Sequence, residues 1–156
     1  MTPSREIERK YLLRAVPARA TAAPVADIEQ GYLPGTRLIE RVRRIRAGCT
    51  TRYYRTVKLG AGIERIQVEE ETTREVFDVL WTLTLGKRIR KRRYTVATPG
   101  GDWEIDDFLD RQLVLAEIEL TRADSRVEIP DWLAPVVERE VTEEKGFTNY
   151  ELASGL

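Results

Sequence analysis

Polar and apolar residues alternate along much of this chain with the two-residue period of a β-strand, whose side chains point to opposite faces in turn. From Leu113 to Thr121, Val114, Ala116, Ile118 and Leu120 fall on one face, and Glu117 and Glu119 on the other. Between Ile63 and Glu71, Arg65, Gln67, Glu69 and Glu71 oppose Ile66 and Val68. Read this way, the chain predicts strands over Glu6–Leu13, Ile28–Leu33, Arg37–Arg46, Arg52–Leu59, Ile63–Glu71, Arg88–Ala97, Asp102–Phe108 and Leu113–Thr121. Short glycine turns, Ala47-Gly48-Cys49, Gly60-Ala61-Gly62 and Pro99-Gly100-Gly101, join several neighbours as hairpins, because glycine accepts positive φ. The expected architecture is a meandering antiparallel sheet.

The period lengthens between about Thr73 and Thr84, where Val76, Phe77, Leu80 and Trp81 share one helical face and Thr72 with Glu75 fits a capping box. Further helical segments are expected at Trp132–Glu138, after Pro130, and as a short helix within Thr142–Leu152. The stretch from Ala15 to Ala26, rich in alanine and proline, reads as an irregular connection. With no repeat of solenoid length and no low-complexity linker, 156 residues predict one domain.

Charge alters this picture through its placement. Lysine plus arginine total 26 and aspartate plus glutamate 26, so the net charge is zero and a uniformly basic nucleic-acid surface is disfavoured. There is no histidine, which excludes a histidine base, a Ser-His-Asp triad and imidazole metal ligands, so a bound metal would need oxygen ligands. The single Cys49 forms no intrachain disulfide and fits a reducing cytoplasm. The first residues lack the apolar run of a signal peptide, and no stretch approaches the ~18 apolar residues of a spanning helix. Neither secretion nor a membrane partner is expected.

The charges are sorted by sign at positions i and i+2. Glu6, Glu8 and Lys10 share a face, as do Arg41 with Arg43, Lys91 with Arg93, Glu104 with Asp106, and Lys58 with Tyr54 and Thr56. For any one pair a solvent face is the better reading. Repetition on strand after strand changes the odds, because a merely soluble surface would interleave signs, and like charges held together cost energy. Acids that share a divalent cation and bases that share a polyanion remove that cost. Closing the strands into a barrel brings both sets around one ligand, with the apolar faces outside and covered by helices.

At Glu6-Ile7-Glu8-Arg9-Lys10 the chain resembles the ExExK signature of the CYTH superfamily, the triphosphate tunnel metalloenzymes. The similarity continues through Gln30-Gly31-Tyr32-Leu33, Arg41-Val42-Arg43, Tyr54-Arg55-Thr56-Val57-Lys58, Glu69-Glu70-Glu71, Lys91-Arg92-Arg93-Tyr94, Trp103-Glu104-Ile105-Asp106, Ala116-Glu117-Ile118-Glu119-Leu120 and Glu140-Val141-Thr142. The ending Glu143–Asn149 is a looser version of the family's acidic, basic and aromatic tail.

The resemblance implies a mainly antiparallel β fold with covering helices (α+β), an eight-stranded closed tunnel-like barrel, and Mg²⁺ or Mn²⁺ as cofactor. It implies that Glu6, Glu8, Glu117 and Glu119 hold metal, and that Glu69 and Glu71 are further acids ordering water or basic side chains. Lys10, Arg41, Arg43, Lys58, Lys91 and Arg93 would bind the phosphates. Tyr32 would lie near the tunnel mouth beside Lys10, or pack as a strand tyrosine commonly does, and Arg65 would neutralise Glu69 or share its polar face. Trp81, Trp103 and Trp132 are expected as wall or cover residues. The implied activity is hydrolysis of inorganic triphosphate to pyrophosphate and phosphate, and a homodimer is compatible with it. An adenylyl cyclase, a thiamine triphosphatase and a noncatalytic polyphosphate-binding module are the alternatives, and a plain structural sheet is the bland one.

Overall fold

A computed structural model describes residues 3–60 and 63–155, so Ala61 and Gly62 of one expected turn lie outside the described residues. The strands are β1 (Ser4–Leu13), β2 (Val25–Tyr32), β3 (Ile39–Ala47), β4 (Thr50–Leu59), β5 (Glu64–Thr72), β6 (Arg88–Thr98), β7 (Gly101–Phe108), β8 (Val114–Glu119) and β9 (Val137–Glu140). All pairings are antiparallel and run β5-β4-β3-β2-β6-β7-β8-β1, and a further β1–β5 pairing closes the barrel. The first half of β1 pairs with β5 through Ser4–Ile7, and Tyr11–Leu13 on the same strand pair with β9. The ninth strand thus covers the edge that β5 leaves bare.

That strand corrects the helix expected at Trp132–Glu138. Ala134–Val136 form a single 3₁₀ turn and Val137–Glu140 run extended. Pro135 has no N–H to give a helix, and the free edge of β1 pairs with these residues instead, with a bulge between Leu12 and Leu13. The connection expected to be irregular holds one helical turn, α1 (Ala18–Thr21), whose Ala20 is wholly buried, and β2 begins inside the same stretch at Val25.

The well-signalled helix is α2 (Arg74–Trp81), continued by a 3₁₀ turn over Thr82–Thr84. Its cap is Thr73 rather than Thr72: the Thr73 hydroxyl accepts from the Val76 N–H at 3.2 Å. Phe77 is buried between Tyr53 and Trp81, so α2 covers the outside of the barrel beside β4. Thr84 anchors its far end against Gly31, where a Cβ would stand 2.6 Å from the Thr84 side chain. Only glycine allows that approach. The C-terminal helix is the short α3 (Asn149–Ser154), which starts inside the expected segment and runs past its end at Leu152, with Thr148 and Glu151 forming a reciprocal capping box.

Two apolar clusters frame the interior. The outward faces of β1, β6, β7 and β8 present Tyr11, Val96, Trp103, Ile105, Ala116 and Ile118 to Ala20, Leu133 and Trp132. This is the covered outer face that an inside-out barrel requires. The second cluster, with Leu12, Tyr32, Ile39, Ile89, Phe108 and Leu115, lies at one end of the barrel, at the last residues of β1, β2 and β7 and the first of β3, β6 and β8. Tyr150, Leu152 and Ala153 of α3 pack into it. Among the described residues no helix is long and apolar enough to cross a membrane.

Candidate active site

Along β1 and β8 the inward side chains change character with depth. In β8 they pass from exposed Glu119 through buried Glu117 to fully buried Leu115, and in β1 from Glu6 through Glu8 and Lys10 to Leu12. The register sets Glu8 beside Glu119, Lys10 beside Glu117 and Leu12 beside Leu115. A charged chamber of about 140 Å³ therefore stands beyond the apolar end of the barrel, lined by Glu6, Glu8, Arg41, Arg43, Lys58, Gln67, Glu69, Arg93, Glu104, Glu117, Glu119 and Asn149.

Glu6, Glu8, Glu69, Glu104 and Glu117 in the chamber wall each have a basic neighbour within ion-pair reach. Lys58 Nζ lies 2.8 Å from Glu6 Oε2, Arg65 Nη2 2.7 Å from Glu8 Oε1, and Lys10 Nζ 3.1 Å from Glu117 Oε1. Arg41 donates to both Thr56 and Glu69 at 3.2 Å, and the Thr56 hydroxyl donates to the same Glu69 oxygen at 2.9 Å. Arg43 Nε donates to the amide oxygen of buried Gln30 at 2.9 Å. Arg93 forks onto Asp106 at 2.7 and 2.8 Å and also meets Glu104.

Burial and like charges move the protonation of these groups. Burial, then the neighbouring Glu117 carboxylate, pushes Glu8 up to about 7. Burial also acts on Glu117, but Lys10, Arg93 and Lys91 outweigh it and hold its carboxyl well below the usual range. Glu6 is likewise kept low against its burial by Lys58, Arg65 and Arg41. Burial, with Arg41 nearby, lowers Lys58 to about 8, and burial with Arg41 and Arg93 lowers Arg43 to about 10. The chamber holds charge that it solvates poorly.

Of the residues expected at the site, Glu6, Glu8, Arg41, Arg43, Lys58, Glu69, Arg93, Glu117 and Glu119 line this chamber. Three do not. Glu71 lies near the end of β5, more than half exposed and 3.9 Å from Arg52. Lys10 sits behind Glu117 and donates to the Phe147 carbonyl at 3.0 Å. Lys91 is wholly buried against Asp106. Arg65 pairs with Glu8, while Glu69 is taken by Arg41. Tyr32 lines a second cavity together with Lys10 and Lys58 and also packs: its hydroxyl accepts from Gln30 and its ring meets Tyr150 edge-on.

Glu104, Gln67 and Asn149 line the chamber in addition to the expected residues. Glu104 carried a signal, its i+2 pairing with Asp106. Gln67 shares the polar face of β5, but a neutral amide does not stand out in a pattern of charges. Asn149 follows a loop and has no periodic signal at all.

For a divalent cation the donor chemistry fits, since the chamber offers carboxylate oxygens and no softer ligand, as Mg²⁺ and Mn²⁺ require. Glu6 Oε2, Glu104 Oε2 and Glu117 Oε1 are buried without a hydrogen bond, although each touches a cationic side chain. Among the described residues no three acids already stand close enough to form a cation cage.

A closed antiparallel barrel with its charges inside and its apolar faces outside defines a class, the tunnel-like barrels of CYTH type. No family model matches the chain. It is 33% identical over 153 residues to an inorganic triphosphatase of Nitrosomonas europaea, covering 95% of this chain and 96% of that protein. It is 31% identical to one from Acetivibrio thermocellus, over 95% and 92% of the two. The crystal structure of the inorganic triphosphatase NE1496 superposes with a TM-score of 0.66 at 30% identity, over 97% of this chain and 95% of that one. The PH1819 protein of Pyrococcus horikoshii shares the fold, with a TM-score of 0.59 at 17% identity over 86% and 92%. The chain belongs to the family of CYTH-like inorganic triphosphatases.

Proposed function

We propose that this chain hydrolyses inorganic triphosphate to pyrophosphate and phosphate in its charged chamber, with Mg²⁺ or Mn²⁺ held by Glu6, Glu8, Glu117 and Glu119. The observation that carries the reading is the convergence of Arg41, Arg43, Lys58 and Arg93 with those four acids on one cavity. A bound divalent cation would supply neutralisation of phosphate charge and activation of water.

The chain's own groups do the rest. Arg41, Arg43 and Arg93 present planar forks to phosphate oxygens, and Lys58 a point charge. Of these bases only Lys58 is closely paired with one of those four acids, Glu6, and it would be released where Glu6 held a cation, whereas Arg41, Arg43 and Arg93 are held by Glu69, Gln30 and Asp106 and need not lose a partner to meet the polyanion. As water oxygen bonds to the terminal phosphorus, the bridging P–O bond breaks and pyrophosphate leaves with its electron pair. The water gives up a proton, which a carboxylate of the chamber accepts. Positioning and charge neutralisation are the main contributions such a site makes to phosphoryl transfer.

Phosphorus NMR of reactions with triphosphate, ATP and thiamine triphosphate tests this. Triphosphate should give pyrophosphate and phosphate with Mg²⁺ or Mn²⁺ and nothing in excess EDTA. Turnover undiminished by EDTA would rule out the metal, and ATP or thiamine triphosphate consumed in preference would replace the substrate.

A further inference from the structure

Lys91 was expected to grip phosphate, yet its side chain is 0% exposed and does not line the chamber. Its Nζ donates to Asp106 Oδ2 at 2.7 Å and to Asn149 Oδ1 at 3.1 Å. Asn149 does line the chamber. Charged or neutral, Nζ carries the two hydrogens that these acceptors take. The amide oxygen of Asn149 is thereby committed to Lys91, which turns its NH₂ group, a double donor, the other way.

We propose that Asn149 binds a substrate phosphate through its side-chain NH₂, and that Lys91 is the positioning residue that fixes the amide's orientation. The identity of the anion rests on the triphosphatase reading. A neutral donor suits this spot, because Arg41, Arg43 and Arg93 already face one another across the chamber and another cation would add repulsion. The assignment also gives α3 a task. The helix is docked by Tyr150 against Tyr32, by Lys10 bonding the Phe147 carbonyl, and by Arg111 bonding the Leu152 carbonyl at 2.7 Å. The C-terminal segment thus completes a site whose other walls are barrel strands.

Steady-state hydrolysis of triphosphate with Mg²⁺, beside thermal melts, tests the assignment on full-length protein. Asn149→Asp keeps an oxygen toward Lys91 but replaces the donor with a second carboxylate oxygen. It should raise KM about tenfold to a hundredfold, the value of a hydrogen bond to a charged group, with kcat changed much less. Asn149→Ala should raise KM by less, since water can enter. Lys91→Met should raise KM in the parent and cause no further rise on the Asn149→Ala background. KM within about twofold of the parent in both Asn149 variants would overturn the phosphate contact. An equal effect of Lys91→Met on both backgrounds would overturn the positioning role. A parent that turns over no triphosphate at all would overturn the functional reading itself, an outcome distinct from either.

Discussion

The inner and outer faces of the same strands use the same residue types for opposite ends. Outside, Arg92 meets Asp27 at 2.9 Å with both side chains more than 40% exposed, and Arg44 meets Glu29 beside them. Such pairs are screened by water and are worth about 0–1 kcal/mol. One residue along β6 in each direction, Lys91 and Arg93 turn inward to Asp106, which is 0% exposed. There the desolvation of each charge is of the same order as the attraction of its partner. The outer pairs face water, whereas the inner ones hold charge in a state that a cation and a polyanion would improve. Identical side chains thus differ in function by which way the pleat points them.

The largest expected effect breaks this comparison on the acidic side. Glu8→Gln or Glu117→Gln keeps side-chain size but removes a carboxylate from the chamber, and turnover should fall about a hundredfold or more. Triphosphate binding should survive, since the change relieves repulsion against the substrate. The outer-wall control, Asp27→Asn, should leave kcat and KM near those of the parent. Parent-like turnover in a folded Glu8→Gln protein would show that the inward acids do no more than the outward ones.

The next effect sharpens the contrast among the bases. Arg41→Ala or Arg93→Ala removes a charge-assisted phosphate contact of ~1.5–3 kcal/mol, so triphosphate affinity should fall on the order of tenfold to a hundredfold. Arg92→Ala, one residue away but outside, should not change it. Titration of each variant after a cooperative melt is confirmed decides the matter, because removing one partner of a buried pair can also destabilise the barrel. Unchanged affinity in both inward variants would count against the clamp.

What the sequence made legible was governed by local period. The alternation of Val114, Ala116, Ile118 and Leu120 with Glu117 and Glu119 is enough to orient β8, and the sign sorting is enough to turn the polar faces inward. The strand at Val137–Glu140 was not legible, because it forms in answer to a distant event, the divergence of β5 from β1. Depth was equally hidden. Lys91 and Arg93 look equivalent two residues apart, and only the apolar end of the barrel, with Ile89 and Phe108, decides that one is sealed and the other lines the chamber. Asn149 reaches the chamber through the docking of α3, a tertiary contact with no periodic trace.

The last effect concerns that sealed lysine and is read as stability against pH. Burial outweighs the attraction of Asp106 and lowers the Lys91 ammonium from 10.5 to about 7 in the folded protein. Below about pH 7 both folded and unfolded chains carry the proton, so the cost of burying the ammonium is constant. Between about pH 7 and the unfolded value the unfolded chain holds a proton that the folded chain has lost. Stability contributed by Lys91 must then rise with pH, by on the order of 1 kcal/mol per pH unit within that window. Lys91→Met removes the titration while Asp106 keeps both bonds from Arg93. Lys58, lowered to about 8, adds a slope of the same sign to parent and variant alike, so it drops out of the difference. Urea denaturation of both proteins from about pH 7 to about pH 10 should show the parent gaining on Lys91→Met as pH rises, whereas Arg92→Met on the outer wall should run parallel to the parent. Parallel curves for Lys91→Met would mean that the ammonium stays charged inside the barrel, held by Asp106 as firmly as the outer pairs are held by water.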